Sequence, residues 1–205
     1  MKIITVSREF GSGGREIGKR LADELGFAYY DKEIVAEIAK RHALDENYVR
    51  GALDKSVAQS YPLHFGRTFS YSAGVSNTSV KLFAEQTKII REFAEARDCV
   101  IVGRAADVIL SEYKPFNLFV YASMESKVKR CLERAEQGEE ISERDTAKMI
   151  KRIDSERKKI HGMISDTPWG DRRGYHLCVN TTGLEIKEIV PGILQYVNVW
   201  FDSQK

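Results

Sequence analysis

At 205 residues, 42% hydrophobic and 30% charged, the chain has the composition of a soluble globular protein with a sizeable core, not of a disordered or low-complexity one. A formal net charge of +2 is too small to argue for a nucleic-acid or membrane surface, and no apolar run approaches the length of a membrane span. Cys99, Cys131 and Cys178 are widely spaced with no Cys-x-x-Cys pair, which argues against a disulfide or metal framework and fits reduced thiols in a cytoplasmic protein.

The chain opens on a strand rather than a signal peptide, with β-branched residues across 2–6. Ser7-Arg8-Glu9-Phe10-Gly11-Ser12-Gly13-Gly14 then bends directly into a helical pattern whose inner face carries Ile17, Leu21 and Leu25 and which Gly26 stops. A glycine-rich bend between strand and helix is a phosphate cradle: its amides crowd an anion, and the helix N-terminus favours negative charge. Two registers compete. A literal GxxxxGK runs from Gly13 to Lys19, but it would stretch the loop and shorten the helix. The register favoured by the strand position puts Arg8 at the first glycine, Gly13 at the second, Gly14 at the lysine and Arg15 at the hydroxyl residue. A dinucleotide GxGxxG is disfavoured, since Glu16 stands at its last glycine.

Further along, residues 42–80 break the strand–helix rhythm and read either as a substrate flap or as a long surface loop. Phe83, Thr87, Ile90 and Ala94 mark one face of a helix that leads to a buried strand at 98–103. A second buried strand at 116–121 precedes a helix marked by Val128, Leu132 and Ala135. Residues 142–164 form a long charged helix with Met149, Ile150, Ile153, Ile160 and Met163 on its inner side. A strand at 176–180 and a helix from Glu185 to Val199, interrupted near Pro191-Gly192, close the chain. Strands alternating with helices predict a doubly wound parallel sheet with helices on both faces, in one domain spanning 1–205.

In that register the chain resembles the cytidylate kinase-like family, of P-loop nucleoside monophosphate kinase type, up to about Ile38 and again from Cys99 to Tyr196. The likeness is carried by the strand, loop and helix from Ile3 to Leu25 and by Val100-Ile101-Val102-Gly103-Arg104. It continues through Phe119-Val120-Tyr121-Ala122-Ser123 with Arg130, Arg134 and Gly138, then Ile150 to Lys158, then His176 to Ile189. The resemblance implies a P-loop fold with a helical lid over about 130–165 and an acceptor flap or helical insert over 32–97. It implies ATP and Mg²⁺ as cofactors, a nucleotide donor and a small phosphate acceptor as partners, no nucleic acid or membrane, and a possible homodimer.

The implied site has a phosphate loop of Gly11, Ser12, Gly13, Gly14, Arg15 and Glu16. Arg15, Arg130, Arg134, Arg152 and Arg157 are its catalytic cations, with Arg15 standing in for the absent lysine. Asp31 and Arg104 bind the acceptor, and Asp154 and Lys158 belong to the lid. Asn180, Thr181 and Thr182 hold the donor base; no metal ligand is assigned. Each has a plainer reading. Asp31 is otherwise a helix cap, the lid arginines a solvated helix face, and Asn180-Thr181-Thr182-Gly183 a turn. Asp154 either orients the lid arginines or pairs with Lys158.

The differences from the family pattern are Gly14 and Arg15 in the loop, Val102 and Tyr121 where acidic residues stand, and Glu37 where an arginine stands. The leading expectation is transfer of the ATP γ-phosphoryl to a nucleotide or other small acceptor. The alternatives are a catalytically weakened nucleotide sensor and a partner-binding protein using Trp169-Gly170-Asp171 and Trp200. His42, His64, His161 and His176 form no ligand spacing and receive no role.

Overall fold

Apolar side chains point both ways along the central strands, so the sheet must be covered on both faces. A computed structural model describes residues 1–59, 77–134 and 142–204, leaving aside the side chains of 54–59 and 77–79. The expected Tyr61-Pro62-Leu63-His64-Phe65-Gly66 segment, most of the Ser70–Ser79 stretch, Ala135 and Gly138 lie outside the described residues. Strands β1 (Ile3–Arg8), β2 (Ala28–Tyr30), β3 (Cys99–Val102), β4 (Phe116–Tyr121) and β5 (Leu177–Asn180) are all parallel, in the order β2-β3-β1-β4-β5. The helices are α1 (Gly14–Leu25), α2 (Glu33–His42), α3 (Glu46–Gln59), α4 (Asn77–Ala96), α5 (Ala106–Ile109), α6 (Met124–Glu133), α7 (Glu143–Gly162) and α8 (Ile186–Ser203).

The period of two along β1 divides the core. Ile3 joins Cys99 and Ile101 under α2, α3, α4 and α5, against Ile34, Ile38, Val49, Leu53, Ile89 and Ile90. Ile4 and Val6 join Val100, Val102, Phe116, Leu118 and Val120 on the opposite face, against Ile17 and Leu21 of α1 and Val190, Ile193 and Val197 of α8. This is the doubly wound α/β architecture expected, with β1 at its centre.

Three elements differ from expectation. Residues 46–59 are helical rather than loop. Of its described side chains Val49 and Leu53 are buried and Ala52 packs beside them, too few to show a period in the sequence. Strand β2 is three residues long, below the length at which alternation can be read. Helix α8 runs unbroken through Pro191. The proline costs about 3 kcal/mol in a helix interior. Ile186, Val190, Ile193, Val197 and Phe201 form a buried stripe across it, each contributing roughly 1.5–3 kcal/mol, and the stripe wins.

The loop register is also decided. Helix α1 starts at Gly14, one residue after Gly13 at φ 86°, and Gly18 lies mid-helix against the sheet. A Cβ at Gly18 would lie 2.8 Å from Val102 Cγ2. Lys19 is therefore a helix-surface residue, paired at 2.5 Å with Asp23. The literal GxxxxGK is an accident of spelling.

Candidate functional site

Parallel strands place their C-terminal ends together, and the sharpest bend there is the segment between β1 and α1. Its glycines are dictated by what surrounds them. Gly11 and Gly13 have φ of 77° and 86°. A Cβ at Gly11 would come 2.9 Å from the Lys127 carbonyl, and one at Gly13 would come 2.3 Å from Ile186 Cδ1. The loop is thus wedged between α6 and the start of α8. Ser12 is buried; its hydroxyl donates to the Glu9 carbonyl at 2.8 Å, and its carbonyl accepts from Thr181 Oγ1 at 2.7 Å. No side chain caps the N-terminus of α1. Its first-turn amides keep the electropositive end that favours an anion.

On the side of the loop facing β2 and β3 lies a cavity of about 450 Å³ lined by Arg8, Arg15, Asp31, Arg104 and Arg157 among others. Arg15 turns away from the loop: its Nε lies 2.6 Å from Asp31 Oδ2. Asp31 also lies 3.8 Å from Arg8 and is nearly buried, so it serves the arginines. The N-cap of α2 is Lys32, not Asp31, which closes the capping alternative. Arg104 has φ 56° directly after Gly103 at 78°, a left-handed pair that ends β3 and turns the chain into the cavity rim. Arg157 on α7 donates to the Arg8 carbonyl at 2.9 Å and lies over the Phe10 ring. Burial, with the nearby Arg157, pushes the Arg8 guanidinium down to about 9. It stays cationic at neutral pH.

The other side of the loop is organised by carboxylates. Asp154 on α7 accepts from the Phe10 amide at 2.7 Å, and Lys127 reaches Asp154 at 3.4 Å and Glu9 at 2.9 Å. Arg157, also on α7, lies 3.5 Å from Asp154, so of the two partners expected for Asp154 the arginine is the one it engages and Lys158 is not among its ion pairs. Desolvation raises the Asp154 carboxyl from its ordinary value. Arg130 donates to Thr181 Oγ1 at 3.1 Å and to the Leu184 carbonyl at 3.0 Å, with a further bond to the Thr181 carbonyl. Arg134 pairs with Glu16 at 2.7 Å, and Glu16 also holds Arg20. Asn180 Oδ1 accepts from the Thr182 amide and hydroxyl, a side-chain turn, while Thr182 Oγ1 accepts from Ser123. Lys158 lines a second cavity of about 630 Å³ with Glu9, Lys127 and Asp154. Arg152 is exposed on α7 and lines neither cavity.

Sequence reading overlooked Arg8, Glu9 and Lys127. Arg8 carried a usable signal, a charged residue at the first glycine of the loop; Lys127 carried none, being one of two lysines on a charged helix. His161, given no role, pairs with Asp107 at 3.0 Å in the buried floor of the first cavity. Trp200 and Trp169 are half-buried, edge-on at 5.3 Å against Phe116 and Phe119 respectively.

The model of the cytidylate kinase-like family matches residues 3–183. No curated protein sequence matches the chain. Among solved structures, an uncharacterized protein from Eubacterium ventriosum ATCC 27560 is 27% identical with a TM-score of 0.70, over 97% of this chain and 99% of that one. Shikimate kinase from Bacteroides thetaiotaomicron is 15% identical with a TM-score of 0.57, over 98% of both chains. A gluconokinase from Sinorhizobium meliloti 1021 is 16% identical with a TM-score of 0.53, over 98% of this chain and 97% of that one. The last two likenesses are of fold.

Proposed function

The chain belongs to the cytidylate kinase-like family, and on that premise we propose that it transfers the γ-phosphoryl group of ATP to a small anionic acceptor, a nucleoside monophosphate such as cytidylate or another small metabolite. The observation that carries this reading is the convergence of Arg8, Arg15, Arg104 and Arg157 beside an uncapped helix N-terminus. Phosphoryl transfer demands positioning and neutralisation of charge more than covalent chemistry, and guanidinium groups around a cavity supply both. The uncapped start of α1 is the place for the donor phosphates, and the 450 Å³ cavity the place for the acceptor. Helix α7 carries Asp154 and Arg157 onto the loop, and a helix attached in this way can admit substrate and then exclude water. A cytoplasmic location suits such a substrate pair.

The side chains beside the loop do not fit a resident Mg²⁺. Lys127 holds Glu9 and Asp154, Glu16 is taken by Arg20 and Arg134, and Ser12 is turned into the loop. Among the described residues no group of three acidic, His or Cys side chains is arranged for a metal. Mg²⁺ therefore belongs to this reading as part of the MgATP substrate, held mainly by its phosphates.

The test is ³¹P NMR with MgATP and a panel of nucleoside monophosphates and of phosphorylated or carboxylated small alcohols. ADP formation that depends on one acceptor supports the proposal; absence of ATP binding, or no phosphorylated acceptor, overturns it. A second reading, nucleotide sensing without catalysis, is favoured by Gly14 at the lysine position and by the Asp154 carboxylate already seated on the Phe10 amide. Tight ATP binding with no turnover would select it.

A further inference from the structure

The absent lysine leaves a question of where the loop's cation went. Two glycines far apart in sequence answer it together. A Cβ at Gly14, the position of the lysine, would lie 2.5 Å from Arg8 Cβ and 3.0 Å from its Cγ. A Cβ at Gly103 would lie 1.8 Å from Arg8 Nη1 and 2.8 Å from its Cζ. Gly14 and Gly103 thus form the two walls of a slot, one against the stem of Arg8 and one against its guanidinium. Any side chain at position 14, lysine included, would meet the Arg8 stem. The two cations are mutually exclusive, and this chain holds the one on the strand.

We propose that Arg8 is the relocated phosphate-loop cation, its guanidinium gripping the transferring phosphoryl group from the acceptor side of the loop. This rests on the phosphotransferase reading above. Arg8 suits the task better than Arg15. Its side chain is only 15% exposed, against 60% for Arg15. Arg15 is tied to Asp31 at 2.6 Å, whereas Asp31 stands 3.8 Å from Arg8, too long for a direct hydrogen bond. Asp31, at that distance, is the one carboxylate within 4 Å of the Arg8 guanidinium among the described residues, and Arg157, Arg15 and Arg104 all lie near enough to oppose its charge, so a phosphoryl group supplies the close anion it lacks. The planar fork also holds two oxygens at once, which a lysine on α1 would not.

The experiment compares binding of MgADP with that of a non-hydrolysable MgATP analogue, by calorimetry, so that no acceptor is needed. The variants are Arg8→Met, which keeps the stem in its slot, Arg8→Lys, and the double variant Arg8→Gly with Gly14→Lys. For the native chain the triphosphate should bind about 10–100-fold tighter than MgADP, the worth of one charge-assisted bond pair. Arg8→Met should erase that preference while leaving MgADP affinity within about twofold, and the double variant should restore part of it. An unchanged preference in Arg8→Met, or equal loss for both nucleotides, overturns the inference while leaving the phosphotransferase reading intact. If Arg8→Met fails to fold, a double variant that folds without any triphosphate preference overturns it. A native chain that binds neither nucleotide overturns the phosphotransferase reading, and the inference with it.

Discussion

The two sides of the segment between β1 and α1 are held by opposite means. Toward β4 and α6, charges are matched: Lys127 lies between Glu9 and Asp154, and Arg134 and Arg20 share Glu16. Toward β2 and β3, the guanidinium groups of Arg8, Arg15, Arg104 and Arg157 line one cavity, where Asp31 holds Arg15 closely and stands 3.8 Å from Arg8, while Arg157 also reaches Asp154. Matched charges stabilise a fold; crowded like charges oppose it and persist where a ligand completes them. One side of the loop therefore fastens α7 and α6 to it, and the other is the side on which the proposed acceptor would complete the charges.

The comparison breaks most sharply at Lys127. Lys127→Met removes the cation between Glu9 and Asp154, leaving Asp154 to Arg157 and the Phe10 amide, and should cost about 1–3 kcal/mol of stability in denaturant melts, less than a fully buried pair because Glu9 is part-exposed. A loss under about 0.5 kcal/mol would mean the matched side is not structural. Next in size is Gly103→Ala. Its methyl would strike the Arg8 guanidinium at a backbone φ of 78°, and should cost roughly 1–3 kcal/mol together with the triphosphate preference.

Arg104→Gly should sharpen the contrast. It relieves a left-handed φ of 56° and removes one crowded cation, so stability should hold or rise by about 1 kcal/mol. Once an acceptor is known, its KM should rise roughly 10–100-fold while the ATP KM stays put. A parallel rise in both would blur the two sides into one. The smallest effect lies away from the loop. Partial desolvation on its packed side holds His176 below its ordinary value of 6.5, and its Nδ1 accepts from the Asn117 amide at 2.9 Å. The unfolded chain binds that proton more readily, so this contribution is complete above the unfolded value and is lost as pH falls through the lower folded one. His176→Gln should flatten the acid limb of a Tm–pH profile by only about 1–2 °C, since the ring is exposed.

Much of the fold was legible in the chain itself. Continuous apolar runs at 98–103 and 116–121 announce strands buried on both faces, and the Ile17, Leu21, Leu25 spacing sets the first helix and so the loop register. Elements with few anchors were not legible: β2 is too short and α3 too thinly attached. The Pro191 break was misread because propensity is a local quantity and the stripe that overrides it is not. That Arg104, Arg157 and Asp31 come together was legible from their places after β3, on α7 and after β2, and all three line one cavity. Their partners were not.

What the sequence by itself determined is therefore the sheet, the register of its glycine loop and a surplus of arginines near it. Where each of those arginine side chains goes was decided only by tertiary structure. Arg15 is adjacent to the loop in sequence, yet its side chain leaves for Asp31. Arg8 is directed by empty space, the absent side chains of Gly14 on α1 and Gly103 after β3. A residue string records which side chains are present. Only the packing of β1 between β3 and β4 shows where the missing ones leave room.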